Sequence, residues 1–333
     1  MKILALALAL IAAAPAAADP VVDRVVTGTI LPRFAAFAQA AAALNTAAAD
    51  DCLATSPELR AAWNATFDAW IPASSFRIGP LEQGGRGLAV AFWPDPKDST
   101  GRALQALLAG DGTALASGEA YAEVSVAARG LHALEAMLYD PALGSYTATD
   151  PGCALTRAAA ADLAALSAAV EADWRTGFAP LLQTAGAPGN TRFLSQHEAR
   201  QAIFTQLVTQ LGFDAEVRLG RPLGSLTRPR PLRAESRASG RSLHNVTLSL
   251  AANRALAEAL SDGGTEYLFE YFDYAQGVAA KLDDPVFAGV DTPGGRLRVQ
   301  ELKTAIERVH DAASTELAAE LGVAAGFNAL DGD

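Results

Sequence analysis

Apolar residues recur at spacings of three and four along most of the chain. In ELRAAWNATFDAW, Leu59, Trp63, Phe67 and Trp70 fall on one helical face. Ser56 followed by Pro57 reads as an N-cap with proline in the first helical turn, and Pro72 as the stop. SQHEARQAIFTQLVTQLGF repeats the design with Ile203, Phe204, Leu207, Val208 and Leu211, and Gly212 is the expected C-terminal cap. The same periodicity predicts further helices over roughly 21–48, 99–109, 114–139, 154–176, 239–260, 263–283 and 296–321. Period-two alternation is nearly absent. Alanine runs such as AAAALNTAAAD add the best helix former and a poor sheet former, so the expected class is all-α.

An ungapped offset of 141 lays FRIG (76–79) over VRLG (217–220), and with it Trp63 on Phe204, Phe67 on Val208 and Trp70 on Leu211. Agreement of a turn and a helix register suggests two helical-bundle domains related by internal duplication. The turn-rich GAPGN (186–190) is the expected boundary, dividing a bundle over 19–188 from one over 189–333.

Composition narrows the setting. The 333 residues are 50% hydrophobic with a formal charge of −11, which argues against nucleic acid or an anionic membrane as partner. MKILALALALIAAAPAAADP has an early lysine, a short apolar run and small residues before Asp19. Residues 1–18 therefore read as a secretory signal cleaved near Ala18. No later segment is expected to span a bilayer. In an oxidising compartment the two cysteines, Cys52 and Cys153, point to a single disulfide closing a loop of about 100 residues.

Two long loops interrupt the helical pattern, 79–102 and 218–245, and the second holds seven arginines in an acidic chain. It reads either as a solvated connector or as a rim that binds anions or carboxylates, which match the guanidinium fork. On the helix expected over 114–139, Ser125, Ala128, His132, Glu135 and Tyr139 form one stripe beside the apolar Val124, Ala127, Leu131, Leu134 and Leu138. His132 and Glu135, three apart, are close enough to share an ion, as paired ligands do in metal-binding bundles; a plain His–Glu hydrogen bond is the other reading. Gly130 would let another element approach. His197-Glu198 imitates a zinc-protease motif but has Gln201 where the second imidazole belongs, and reads as helix N-terminal polarity. No nucleophile elbow and no P-loop are present.

Gly130-x-His132-x-x-Glu135, the Phe76…Gly79-Pro80 turn, Trp93-Pro94-Asp95 and Glu235-Ser236…Ser239-Gly240…Ser242-Leu243 together resemble the imelysin family of exported bacterial proteins. That resemblance implies paired helical bundles, a periplasmic or cell-surface location, association with iron or haem uptake, and a site near the domain interface at His132 and Glu135. On this reading iron or zinc is the candidate metal, and an iron-bearing compound or a membrane iron-uptake component the candidate partner. Glu235, Ser239 and Asp95 are candidate further ligands, with Arg77 and Trp93 beside them; Arg77 and Arg218 are alternatively structural, pairing with carboxylates. The family's metallopeptidase label supplies a rival reading as a zinc-dependent peptidase, and a non-catalytic scaffold is the third.

Overall fold

The computed structural model describes residues 19–324. The expected signal segment lies outside the described residues. Among these there is no β-strand, only two isolated bridges. The helices are α1 (Pro20–Asp50), α2 (Pro57–Ala73), α3 (Arg86–Val90), α4 (Ser99–Leu108), α5 (Gly118–Ala122) and α6 (Gly130–Tyr139). They continue with α7 (Pro151–Gln183), α8 (Gln196–Gly212), α9 (Ser242–Leu260), α10 (Glu266–Lys281) and α11 (Pro293–Ala312).

In the first half α1 packs along α7 and α2, with α6 closing the group. In the second, α8 packs on α9 and α11, and α10 on α11. The start of α1 and the face of α2 lie against α9, and one apolar core runs through both halves without a break. Trp63, Phe67, Phe204, Leu207 and Leu211, singled out by periodicity, are all fully buried. Gly186–Asn190 forms a turn between α7 and α8. α1 and α7 are both long and apolar enough to cross a bilayer, contrary to the expectation that no segment after the signal would be. Their apolar faces meet each other in the core instead. Cys52, just past α1, is bonded to Cys153 in the first turn of α7.

Caps explain the helix starts. Ser56 Oγ accepts the Leu59 amide at 3.3 Å at α2. At α8, Ser195 Oγ accepts the Glu198 amide at 3.2 Å while Glu198 reaches back to the Leu194 amide at 2.7 Å, so this Glu is indeed helix-start polarity. The long helices also carry π turns, at Val26–Ile30, Trp174–Phe178, Phe213–Leu219 and Ala313–Leu317. The first three lie just before Pro32, Pro180 and Pro222. Proline lacks an N–H and crowds the carbonyl four residues back, and one inserted residue relieves both problems. No proline follows the fourth, and the structure offers no reason for it.

Three local expectations fail. Gly212 does not cap α8, because the chain continues through the π segment into Gly220–Leu223. Pro72 lies inside α2, which ends one residue later. The helix expected over 114–139 is broken into two 3-10 turns, α5 and α6. Ser125 and Ala128 therefore do not share a helical stripe with His132. FRIG is a turn with Gly79 at φ 66°, whereas VRLG lies in the π segment and the turn after it. The duplication accordingly remains an expectation from sequence.

Candidate functional site

α6 begins where it does because of Gly130. Its φ is 72°, and an added Cβ would sit 2.1 Å from the Val90 carbonyl oxygen and 2.3 Å from that of Ala89. Only glycine permits both the left-handed backbone and this contact, through which Ala91 and Gly130 form an antiparallel bridge. The end of α3 is the element that Gly130 admits. From the other side, Trp63 Nε1 donates to the Leu131 carbonyl at 3.0 Å. Phe67 meets the His132 ring edge to face at 5.4 Å. His132 is thus held by three elements and is 8% exposed.

Its Nδ1 lies 3.2 Å from Glu135 Oε2. The other oxygen of Glu135 accepts from the Ser239 amide at 3.0 Å and the Ser239 hydroxyl at 2.7 Å. A carboxylate accepting on both oxygens makes Nδ1 the protonated nitrogen, which leaves the Nε2 lone pair free. Nε2 is buried and has no hydrogen-bond partner among the described residues. Carboxylate–histidine pairs of this kind orient an imidazole toward a metal or a ligand.

Ser239 arrives on a tight loop with positive φ at Ser236 and Gly240. The loop is pinned at its end by Arg241, which pairs with Asp68, donates to Asn64 at 2.7 Å and lies over the Phe67 ring. At its start Glu235 accepts from Arg218 Nε at 2.8 Å and Asn245 at 3.2 Å, and Arg218 also bridges to Asp214 at 2.6 Å. Burial alone would raise the Glu235 carboxyl. The Arg218 charge and the hydrogen bonds from Arg218 and Asn245 outweigh burial and hold it below the ordinary value.

Two cavities meet at this histidine. The inner one, about 280 Å³, is lined by Trp70, Arg77, Trp93, Phe213 and Glu235 along with His132. The outer one, about 430 Å³, is lined by Asp95, Glu135, Arg221, Arg233 and Arg237. Trp93 and His132 belong to both walls. Of the candidate ligands named from sequence, His132, Glu135, Arg77, Trp93, Asp95 and Glu235 line one cavity or both, and Ser239 reaches them through Glu135. Asp95 accepts the Ser99 and Thr100 amides at 2.9 and 2.8 Å and fixes the start of α4. Those amides hold its carboxyl below the usual value although burial acts the other way. Among the described residues Arg77 forms no ion pair; its guanidinium lies over the Phe213 ring, 4.4 Å from the centroid. Burial, reinforced by Arg218, lowers its pKa. Arg218, not Arg77, is the arginine that pairs with carboxylates. Sequence reasoning gave no separate role to Arg241 and Asn245, which it counted only as part of the long loop 218–245, and took Phe67 for core alone. Among the described residues no three His, Cys, Asp or Glu side chains are grouped to hold a metal ion.

The imelysin (peptidase M75) family model matches residues 30–313. This chain belongs to the imelysin family. Among solved structures it is similar to an imelysin-like protein from Psychrobacter arcticum 273-4, at 20% identity and a TM-score of 0.75, over 93% of this chain and 99% of that one. It is similar also to a protein described as an iron-regulated protein A precursor, from Parabacteroides distasonis ATCC 8503. There the identity is 14% and the TM-score 0.70, over 90% of this chain and 94% of that one. No curated protein matches. At these identities the likeness establishes the all-α fold of the family member, and the chemistry has to be read from its own residues.

Proposed function

We propose that this imelysin is an exported protein of bacterial iron handling that binds an iron-bearing compound, rather than a bare ion, between its two cavities. The iron-regulated relative and its description as a precursor support the iron connection and the export. The observation that carries the reading is the buried, unpartnered Nε2 of His132 where the cavities meet, with Nδ1 already held by Glu135. A buried ring nitrogen left without a partner costs roughly 1–3 kcal/mol, and a bound ligand would recover it.

The donor set fits one contact to a metal and no more. Glu135 is committed to His132 and Ser239, Glu235 to Arg218 and Asn245, and Asp95 to the start of α4. A bare Fe or Zn ion needs four or more donors, and the residues present do not supply them. Iron whose remaining coordination comes from an organic chelator, or from haem, needs only the imidazole. Glu135 on this reading orients the histidine instead of touching the metal. A zinc peptidase would need a completed sphere with an open position, for which these donors give no support. The test presents ferric iron to wild type and His132→Ala as haem and as a nitrilotriacetate chelate, with zinc ion alone in parallel. Stoichiometric retention of one iron compound, weakened about tenfold or more in the variant, is the expected result. Equal retention by both proteins would remove His132 from the site and overturn the proposal.

A further inference from the structure

Most arginines of this chain that lie beside its helices are engaged. Arg24, Arg86, Arg129, Arg200, Arg218, Arg241 and Arg254 form ion pairs, and Arg33, Arg60, Arg157 and Arg296 donate to carbonyls. The side chains of Arg221, Arg228, Arg230, Arg233 and Arg237 make neither kind of contact among the described residues, although the protein carries a formal charge of −11.

Four of these five are gathered on one open groove of about 890 Å³. Arg228, Arg230, Arg233 and Arg237 line it with Pro229, Pro231 and the 76% exposed Leu232, and Asp291 is its single carboxylate. The groove does not end blind. Leu232, Arg233 and Arg237 also line the outer cavity that reaches His132 and Arg221. Four acidic residues line that cavity as well, and most of them are engaged from within. Glu135 accepts from Ser239, Asp95 from Ser99 and Thr100, and one oxygen of Asp140 from the Ala142 amide; Asp98 alone has no side-chain partner among the described residues. Along groove and cavity the uncommitted guanidiniums thus outnumber the free carboxylates of Asp98 and Asp291.

Holding like charges together on one surface is unfavourable, and it is felt here: burial and then the neighbouring Arg233 lower the pKa of Arg221. Planar guanidinium forks recognise carboxylate and phosphate groups two oxygens at a time, and clefts of one sign draw in ions of the other.

We infer that the groove of Arg228, Arg230, Arg233 and Arg237 is a binding site for a small polyanion, a compound bearing two or more carboxylate or phosphate groups, at the mouth of the His132 cavity. This deepens the reading above by giving the iron-bearing compound its charge, and it is tested without metal so that the two stand or fall separately. Arg233 and Arg237 hold the anion where groove and cavity join; Arg228 and Arg230 attract it from solvent.

The experiment titrates metal-free citrate and inorganic diphosphate into wild type by calorimetry at low and at physiological salt. Three variants follow: Arg233→Glu/Arg237→Glu, the milder Arg233→Gln/Arg237→Gln, and a control, Arg298→Glu/Arg308→Glu. The glutamate control makes the same change in net charge as the groove glutamates, at exposed arginines outside the groove. Binding of either anion, weakened roughly tenfold or more by both groove variants and within about twofold of wild type in the control, supports the site. Citrate alone would mark it for carboxylates and diphosphate alone for phosphates. Should wild type bind neither, or the control lose as much as the groove variants, the inference is wrong. Because the glutamine variant keeps the groove's shape, a misfolded glutamate variant does not rescue it. Anion binding that survives beside a negative iron test would leave this site standing and discard the role of His132.

Discussion

Gly130→Ala separates two costs that are usually confounded. The first is conformational: a side chain at φ 72° costs roughly 1–2 kcal/mol for an L-residue. The second is steric. The new Cβ would lie 2.1 Å from the Val90 carbonyl oxygen, and it meets backbone, which cannot swing aside as a side chain would. Relieving the clash means moving the start of α6 away from α3, and forced shifts in a packed core cost about 1–3 kcal/mol. The sum is about 2–5 kcal/mol. Gly112→Ala supplies the reference. Gly112 has φ 82°, and a Cβ added there meets nothing within 4 Å, so it carries only the first cost. Urea denaturation of both variants, with slopes compared to verify two-state unfolding, gives the difference. A Gly130→Ala protein no less stable than Gly112→Ala would refute the claim that close backbone approach fixes α6. The same variant should weaken whatever binds at His132, because the ring sits two residues beyond the displaced contact.

Arg218→Met leaves Asp214 and Glu235 buried and without their common cation; a loss of roughly 3–5 kcal/mol is expected, measured by chemical denaturation, and a loss under about 1 kcal/mol would show that the pair is not needed. The Glu235 carboxyl, held below its ordinary value near 4.5, contributes stability that is fully present above that pH and is lost as pH falls through its lower folded value. Glu235→Gln should therefore cost most at neutral pH, and its denaturation midpoint should converge on that of wild type in acid; a gap independent of pH would contradict the assignment. Reducing Cys52–Cys153, which are 101 residues apart, should lower stability by about 5 kcal/mol in the chain-entropy account, read as the shift in denaturation midpoint with and without reductant. Ser239→Ala removes the hydroxyl donated to Glu135, and about 1 kcal/mol of stability should go with it; no change would mean that the Ser239 amide, Arg241 and Glu235 hold the loop without the hydroxyl.

Much of this was written in the sequence because it depends on neighbours along the chain. Helical periodicity found the long helices, since an apolar face repeats every three or four residues wherever its partner comes from. Ser56-Pro57 and Ser195…Glu198 marked helix starts because caps act within one turn. The motif from Gly130 to Glu135, with the Phe76–Pro80 turn, Trp93-Pro94-Asp95 and the Glu235–Leu243 stretch, gave the family and a candidate site. Local rules stopped at the π turns and at the break before Gly130, where a backbone contact with Val90 outweighed the helical pattern of 114–139.

The roles of the site residues were decided only by the tertiary structure. His132 and Glu135 look like two equivalent ligands in sequence, but Ser239, 104 residues away, takes up the second oxygen of Glu135 and leaves the imidazole as the single open donor. Arg77 and Arg218 occupy matching places in the sequence and line the same cavity, yet Arg218 pairs with Asp214 and Glu235 while Arg77 lies over the Phe213 ring. Spacing can say which groups are able to meet along a helix. Whether a lone pair is spent or free depends on donors brought from distant parts of the chain, and only the packed fold supplies those.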